Sequence, residues 1–499
     1  MKTAAQRFQT LAADRSTVLE RAREASRLTI PSLIPLDGQN EHHVSQQPFQ
    51  SVGANGLRAL SARLLTTLFP INLPFIRLEI DQFVAEKMQM DKATADARLS
   101  AVVETTTALM EDRKIRVVMA EALRHLIIAG NVVIYIPLDG SPRIYRLDQF
   151  VVKRDATGQW IEIITCEKVH PAALPQAIRD QAKIKETDTA AVDLYTVVER
   201  KDGKVTHYQE VKGIKIEGTE GEAPEASSGW LAPRWLAIPC SDYGRGHVSE
   251  YMGDLMSLED LSRAIVEFAT LASRVVYMVN PASGMDATEL AKAESGDVLL
   301  GNADHVTSIS LDKSQDFGVV RATAETIEAR INSAFLVQAF RDADRVTAEE
   351  IRAQSEELEN TLGGSFSVLA SELQGPIADR FLYIAAQLKL FPPLPEGIKP
   401  KILTGLAALG RAAEVNRLRA FINDSTQMLA NPAVTEHFNL TTLLNRLGNE
   451  HGVTGMSELL KSDEQKQQEQ QQAAQAQMTM QAAPQMLEAA MSGQLEQAE

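Results

Sequence analysis

RVTAEEIRAQSEELENTLGG (Arg345–Gly364) is the stretch on which the reading of this chain turns. Thr347 can accept a hydrogen bond from the backbone N–H of Glu350, and the Glu350 side chain can reach back, which is the capping box that opens a helix. The run before it, from Ala322 to Phe340, has few breakers and carries Ile327, Ile331, Phe335 and Leu336 at helical spacing. Between the two lies a charged patch, Arg341-Asp342-Ala343-Asp344-Arg345. One long helix is therefore interrupted by a charged loop and restarts. That design suits a protein that projects a loop into a lumen better than it suits an enzyme core. Glu349, Glu356, Glu357 and Glu359 follow on the restarted helix, where they either face that space or pair with arginines of a neighbouring copy. Gly363-Gly364 marks a kink or stop.

With 499 residues the chain has room for two to four domains or one elaborate one. Apolar residues make up 44% of it, enough for a sizeable core, and plentiful Ala, Leu, Glu and Gln lean it towards helix. Cys166 and Cys240 form no CxxC and no His/Cys cluster, which argues against structural zinc and a disulfide framework; both read as buried small apolar residues. The segment from Lys2 to Arg27 is charged throughout and reads as an amphipathic helix, not a secretory signal. No apolar run approaches the ~20 residues that span a bilayer. These features point to a protein made and kept in the cytosol, or in a particle assembled there.

Residues 1–130 read as mostly helical. Leu57, Leu60, Leu64, Leu65 and Leu68 form a helical stripe that Leu68-Phe69-Pro70 ends, and Ile71 to Ile80 alternates partly, like a strand. Met110 to Ala129 is helical, with Gly130-Asn131 as its stop. The pattern then changes. Val132–Ile136, Phe150–Lys153, Trp160–Thr165, Leu194–Arg200 and Val205–Val211 favour strands, with turn pairs at Asp139-Gly140 and Asp202-Gly203. A β-rich module is thus inserted between helical regions, and Gly213 to Gly229 reads as a surface loop. From Gly246 towards Val279 apolar residues recur at helical steps. A helix of about 30 residues would be roughly 45 Å long, which suits an assembly where neighbouring copies pack helix on helix. Residues 281–320 are mixed, 391–395 are a Pro-rich linker, and 396–460 form a small helical region. From Lys461 the chain is Gln- and Ala-rich, a frayed amphipathic helix or a disordered tail.

Catalytic signals are missing. There is no GxxxxGK[ST], no HExxH and no EF-hand loop. Gly53-Ala54-Asn55-Gly56 and Gly244-Arg245-Gly246 do not complete GxGxxG; the first reads as a helix start, the second as a sharp turn where a β segment feeds a long helix. His42-His43 sits in a polar loop without acidic partners at ligand spacing. No catalytic residue, metal site or cofactor is expected.

Several further segments carry a resemblance. They are Leu28-Thr29-Ile30-Pro31-Ser32-Leu33-Ile34-Pro35, Gly53-Ala54-Asn55-Gly56-Leu57, Leu68-Phe69-Pro70, Ala129-Gly130-Asn131-Val132, Tyr145-Arg146-Leu147, Tyr243-Gly244-Arg245-Gly246, Val279-Asn280-Pro281-Ala282 and Thr404-Gly405-Leu406. In this order, with the interrupted helix, the chain resembles the portal, or head-to-tail connector, family of short-tailed bacteriophages from end to end. The resemblance implies an α+β, mainly α, portal fold assembled as a ring, a dodecamer, around a central channel. Residues 1–107 and 281–395 would be wing, 108–131 and 245–280 stem helices, 132–244 a β-rich clip, 396–460 a crown and 461–499 its tail. It implies no cofactor and no enzyme activity. Its partners would be double-stranded DNA in transit, the terminase, major capsid and scaffolding proteins, and tail adaptor and tail tube proteins. Its place would be the capsid vertex of the virion, after assembly in the host cytoplasm.

In such a channel Arg341 and Arg345 would touch phosphates briefly while Asp342 and Asp344 oppose capture, in the loop 341–346. The alternative is a solvated inter-helix loop with weak local ion pairs. The net charge of −16 becomes 12 × −16 = −192 in the ring, and either helps DNA slide by repelling phosphate or only keeps the protein soluble. Gly244, Arg245 and Gly246 would join clip to stem. Two other classes stand beside this one: a helical scaffold or adaptor with no DNA path, and a genome-handling enzyme subunit such as a nuclease.

Overall fold

A computed structural model of the chain describes residues 2–36, 46–70, 74–80, 92–272, 276–280, 287–292, 304, 306–309, 314–337, 362–392 and 398–402. The chain divides into two units, Met1–Leu406 and Ala407–Glu499. The second unit lies outside the described residues. So do His42-His43, the loop 341–346, Thr347, Glu349, Glu350, Glu356, Glu357 and Glu359.

The first unit mixes helix and sheet. Thr3 and Gln6 form a capping box that opens α1 (Ala4–Arg27). In α2 (Val52–Leu68) the leucine stripe is buried as expected. Gly53 and Gly56 do not precede this helix; they lie inside it and let neighbours in. A Cβ on Gly53 would sit 2.5 Å from the Leu28 carbonyl oxygen, and one on Gly56 2.8 Å from the Phe335 ring. After β1 (Ile76–Ile80) come α3 (Lys92–Asp112) and α4 (Ile115–Ala129). One helix was expected from Met110 to Ala129, but Lys114 adopts φ 54° and splits it, with the Arg113 guanidinium hooked on the carbonyls of Leu138 and Gly140. Gly130, φ 72°, ends α4.

The β-rich insertion follows: β2 (Val133–Tyr135), β3 (Arg143–Tyr145), β4 (Phe150–Arg154), β5 (Trp160–Val169), α5 (Gln176–Ala182), β6 (Val192–Lys201), β7 (Lys204–Val211), β8 (Ile214–Lys215), β9 (Gly221–Pro224) and β10 (Trp230–Leu231). β4 to β8 run in order in an antiparallel sheet, with β9 also on β7; β2 lies between β10 and β3 in a second sheet. Asp202 and Gly203 both have positive φ, the turn a two-residue hairpin needs. The stretch 213–229, expected as a loop, holds β8 and β9 and completes the sheet edge. Cys166 is half-buried and Cys240 exposed, in contrast to the two buried thiols expected. Cys240 sits at φ 58° in a turn that keeps it at the surface.

Alternation along these strands makes two apolar faces. Phe150, Val152, Ile163, Val198 and Val205 join the main core. Val151, Ile164, Tyr195 and Val197 face α1, through Ala4, Phe8, Leu11 and Ala12. Glu162 and Glu199 are directly opposite each other on β5 and β6, a like-charge pair that would repel. Arg7 lies within 2.6 Å of the first carboxylate and 2.5 Å of the second. Further along α1, the buried Arg15 donates to the carbonyls of Leu147 and Phe150. The C-terminal half of α1 buries Leu19, Ala22 and Ala25 in the main core. One helix therefore spans both parts.

Beyond the insertion are α6 (Met252–Ala272), β11 (Val276–Val279), α7 (Ala287–Lys292), β12 (Val306–Ile309) and α8 (Ser314–Ala334). The helix expected to run to Val279 is 21 residues, about 31 Å, because Val276–Val279 pairs as a strand with Val306–Ile309. α8 stops six residues before Phe340. Val337 N–H reaches the Asn332 carbonyl and Leu336 N–H that of Ser333, a Schellman closure with Leu336 at φ 55°. The buried Phe335 and Leu336 side chains hold a non-glycine residue in that conformation. Last come α9 (Gly364–Leu369), a π turn at Ala370–Gln374, α10 (Gly375–Gln387) and β13 (Ile398–Ile402). β13 pairs antiparallel with β1, where a helical region had been expected from 396.

α4 is the centre of the core, with Met119, Ala122, Leu123, Leu126, Ile127 and Ile128 fully buried. His125 is buried among them, and among the described residues neither ring nitrogen has a hydrogen-bond partner. Burial, helped by Arg146 and Arg124 and opposed by Asp148, lowers its pKa from 6.5 to about 4. Below pH 6.5 the unfolded chain takes up a proton that the folded chain refuses. Stability is therefore complete above that pH and is lost as pH falls towards 4, by roughly 3 kcal/mol in all. His125→Leu should flatten the pH dependence of urea unfolding between pH 7 and 4; an unchanged slope would assign the acid sensitivity elsewhere.

Candidate functional site

The sites expected from sequence divide sharply. The loop 341–346 and the acidic helix after it are outside the described residues. Gly244, Arg245 and Gly246 are inside them, at the root of the β-rich insertion, where the chain leaves α4 through Gly130-Asn131 and returns. The glycines were expected to supply a sharp turn, yet neither has positive φ. They are required for contact instead. A Cβ on Gly246 would lie 2.3 Å from the Ile128 carbonyl oxygen; one on Gly244 would lie 2.8 Å from that of Leu236. From the other side, a Cβ on Gly130 would strike the Arg245 carbonyl carbon at 2.3 Å.

Asn131 locks the two crossings together. Its Nδ2 donates to the carbonyls of Ala129 and Gly244, both at 2.9 Å, and its Oδ1 accepts from Gly244 N–H at 2.7 Å. Both amide protons are in use. Trp235 N–H binds the Gly130 carbonyl at 3.0 Å and Arg245 N–H that of Leu236 at 3.1 Å. The sequence marked both ends of this root, but nothing in it shows that they meet.

Two arginines brace the root, Arg234 buried and Arg154 half-buried. Arg234 makes a fork to Glu372 on the π turn, Nη2 to Oε1 at 2.5 Å and Nε to Oε1 at 3.1 Å, and its backbone N–H adds a bond to Oε2 at 2.9 Å. Arg154 places its donors on the carbonyls of Asp242 (2.9 Å), Gly158 (3.0 Å) and Ala232 (2.5 Å). Burial and the nearby Arg234 lower its pKa to about 10, against the pull of Glu372 and Asp242. It stays charged at neutral pH. The β4 edge is also closed: Val152 N–H donates to the Tyr243 hydroxyl and Arg154 N–H to Asp242 Oδ1.

From this root the chain enters α6 through a 3₁₀ turn at His247–Glu250. His247 is buried among Trp235, Tyr251 and Phe335, and its Nε2 lies 3.1 Å from the carbonyl of Ala334, the last residue of α8. Burial holds its pKa below the usual value. α6 and α8 then run antiparallel in one register. Asp254 pairs with Arg330 at 2.9 Å, Phe268 stacks on Phe317 with ring centroids 3.8 Å apart, and the line continues into the pair β11–β12. Leu255, Leu258, Ile327 and Ile331 are buried near the root, whereas Val266 and Val319, farther along, are exposed. Among the described residues this helix pair meets the rest of the fold at its root end, where α2 packs on α8.

The family model described as "Bacteriophage head to tail connecting protein" matches residues 1–456. The chain belongs to that family. It is 36% identical over 478 residues to the portal protein of Escherichia phage T7, covering 92% of this chain and 88% of that protein. It is 35% identical to the portal protein of Enterobacteria phage T3, over 92% and 88% of the two chains. With that of Pseudomonas phage phiKMV the identity is 32%, over 81% of each. Among solved structures, a chain of the virion of a native gene transfer agent particle aligns over 76% of this chain and 90% of that one, at 12% identity and a TM-score of 0.35. Among the described residues no helix is long and apolar enough to cross a membrane.

Replacing Asn131 by Asp would keep the acceptor for Gly244 N–H but set a carboxylate against two carbonyls. A loss of about 2–4 kcal/mol is expected in chemical denaturation. Gly246→Ala should abolish soluble folded protein. Wild-type stability in Asn131→Asp would show that the lock contributes little.

Proposed function

We propose that this chain is the portal protein of a short-tailed bacteriophage, a structural component of the virion with no catalytic step of its own. The observation that carries the reading is identity of about a third, over four-fifths or more of the chain, to three proteins each named a portal protein. The protein forms a dodecameric ring at the capsid vertex through which double-stranded DNA is packaged and later ejected. It is assembled in the host cytoplasm, alongside major capsid and scaffolding proteins. The ring docks the terminase first and the tail adaptor and tail tube proteins afterwards.

Within this ring the channel loop is 341–346. Arg341 and Arg345 touch passing phosphates, while Asp342 and Asp344 weaken each contact so that none becomes a trap. Thr347 and Glu350 cap the restarted helix, and Glu349, Glu356, Glu357 and Glu359 face the lumen or a neighbouring subunit. The parts are better allocated by packing than by sequence order. Most of α4 is buried in the body, which leaves it no room to act as a free-standing stem. The six-stranded sheet shares its core with the body and is strapped to it by α1. The α6–α8 pair instead leaves the body and ends in β11–β12. We therefore place the stem on α6 and α8, the clip on the residues between them, and the β-rich insertion in the wing. Residues 396–460 remain assigned as crown, although Ile398–Ile402 pairs with the wing.

Replacing Arg341 and Arg345 together by Ala should leave a closed ring by native mass and negative-stain imaging but reduce packaging or retention of the genome. A normal yield of filled, stable particles from the double variant would overturn the loop's role. A protein that stays monomeric across salt conditions would overturn the ring itself.

A further inference from the structure

The helix that begins at Gly364 is not regular. Between α9 and α10 the chain makes a π turn, in which Gly375 N–H bonds to the carbonyl of Ala370, five residues back instead of four. Pro376 follows, with no N–H to donate and a ring that would press on the carbonyl of Glu372 in a regular helix. The wider turn relieves that clash. Upstream, Gly363 takes φ 46° and ψ −118°, a conformation side chains rarely adopt, and a Cβ on Gly363 or Gly364 would meet nothing within 4 Å among the described residues. A glycine hinge and a proline-imposed bulge thus bracket a short helical segment.

The bulge makes two long-range contacts. Glu372 grips the side chain and backbone N–H of Arg234 at the root of the β-rich insertion. Gln374, fully buried, donates from Nε2 to the carbonyl of Leu68 at 2.6 Å, at the C-terminal end of α2. Among the described residues the buried Gln374 Oε1 meets no partner. Next along α10, Arg380 donates to the carbonyls of Ile136 and Ser227, a second grip on the insertion. Closing the π turn into α-helix would rotate the segment before it by ~100° and shift it by ~1.5 Å against α10. The contacts of Glu372 and Gln374 are made in the wider form.

We propose that residues 363–376 are a mechanical joint. The π turn couples the segment entering at Gly363 to the root of the insertion through Glu372 and to the end of α2 through Gln374, and it interconverts with a regular helical form in which both grips are released. The orphaned Gln374 oxygen means that the gripped form is not fully satisfied, which keeps the alternative within reach. This rests on the portal reading only in its purpose: the segment follows the proposed channel loop in sequence, so the joint relays that loop's position to the wing.

The test is hydrogen exchange of the full-length protein by mass spectrometry, comparing wild type, Pro376→Ala and Glu372→Gln. Pro376→Ala restores the missing N–H and favours the regular helix. It should speed exchange about tenfold at residues 230–236 and at the end of α2, both remote in sequence, while the α1–β4 contact stays unchanged. Glu372→Gln should loosen 230–236 alone. If Pro376→Ala leaves both remote sites at wild-type protection, or loosens the whole unit evenly, the joint is refuted. Neither readout needs DNA or a ring, so a failure of the portal reading, seen as a persistent monomer, is a separate result.

Discussion

Close approach of two backbone crossings governs this structure. The chain leaves α4 at Gly130-Asn131 and returns at Gly244-Arg245-Gly246, and the two passages touch backbone to backbone. Three glycines without side chains make the approach possible, and one asparagine amide satisfies the groups it buries. That contact holds the more than one hundred residues between as a loop closed at its base. It also sets the point from which α6 departs, since His247 follows directly and meets the end of α8.

Arginine is a recurrent adhesive across the described fold. Arg15, Arg113, Arg116, Arg154 and Arg380 each donate to backbone carbonyls, not chiefly to carboxylates. Such carbonyls belong to helix ends and loops that lack ladder partners. The planar fork of five donors reaches two or three of them at once, which a lysine ammonium on a flexible stem does poorly. In a chain of net charge −16, arginine thus serves largely as a clamp on backbone carbonyls.

Much of this was legible in sequence, for identifiable reasons. β4 to β7 announce themselves by alternation and by Asp202-Gly203, a local code read over a few residues. The leucine stripe of α2 is equally local. Failures cluster where tertiary burial overrides local preference. Lys114 and Leu336 end helices at positive φ without being glycine, so no stop signal shows. Val276–Val279 is a strand only because Val306–Ile309 lies beside it, and Ile398–Ile402 only because β1 does. Gly244 and Gly246 stood out, but for the wrong reason: they make room for α4, and that neighbour is visible only in the fold. The charged loop at 341–346, the most telling feature of the sequence, lies outside the described residues.

The strap formed by α1 has a consequence for how the chain is made. Its N-terminal half finds its apolar partners on β4, β5 and β6, and its Ala4 N–H donates to the Glu210 carboxylate. Arg27 is synthesised 183 residues before Glu210, as their numbers show. At ribosomal speeds this is a wait on the order of 10 to 40 s. For that interval the apolar face of the helix's N-terminal half lacks the strands that cover it. This part of α1 is made well before the strands that seat it, and it is exposed to wrong partners until the insertion has been made.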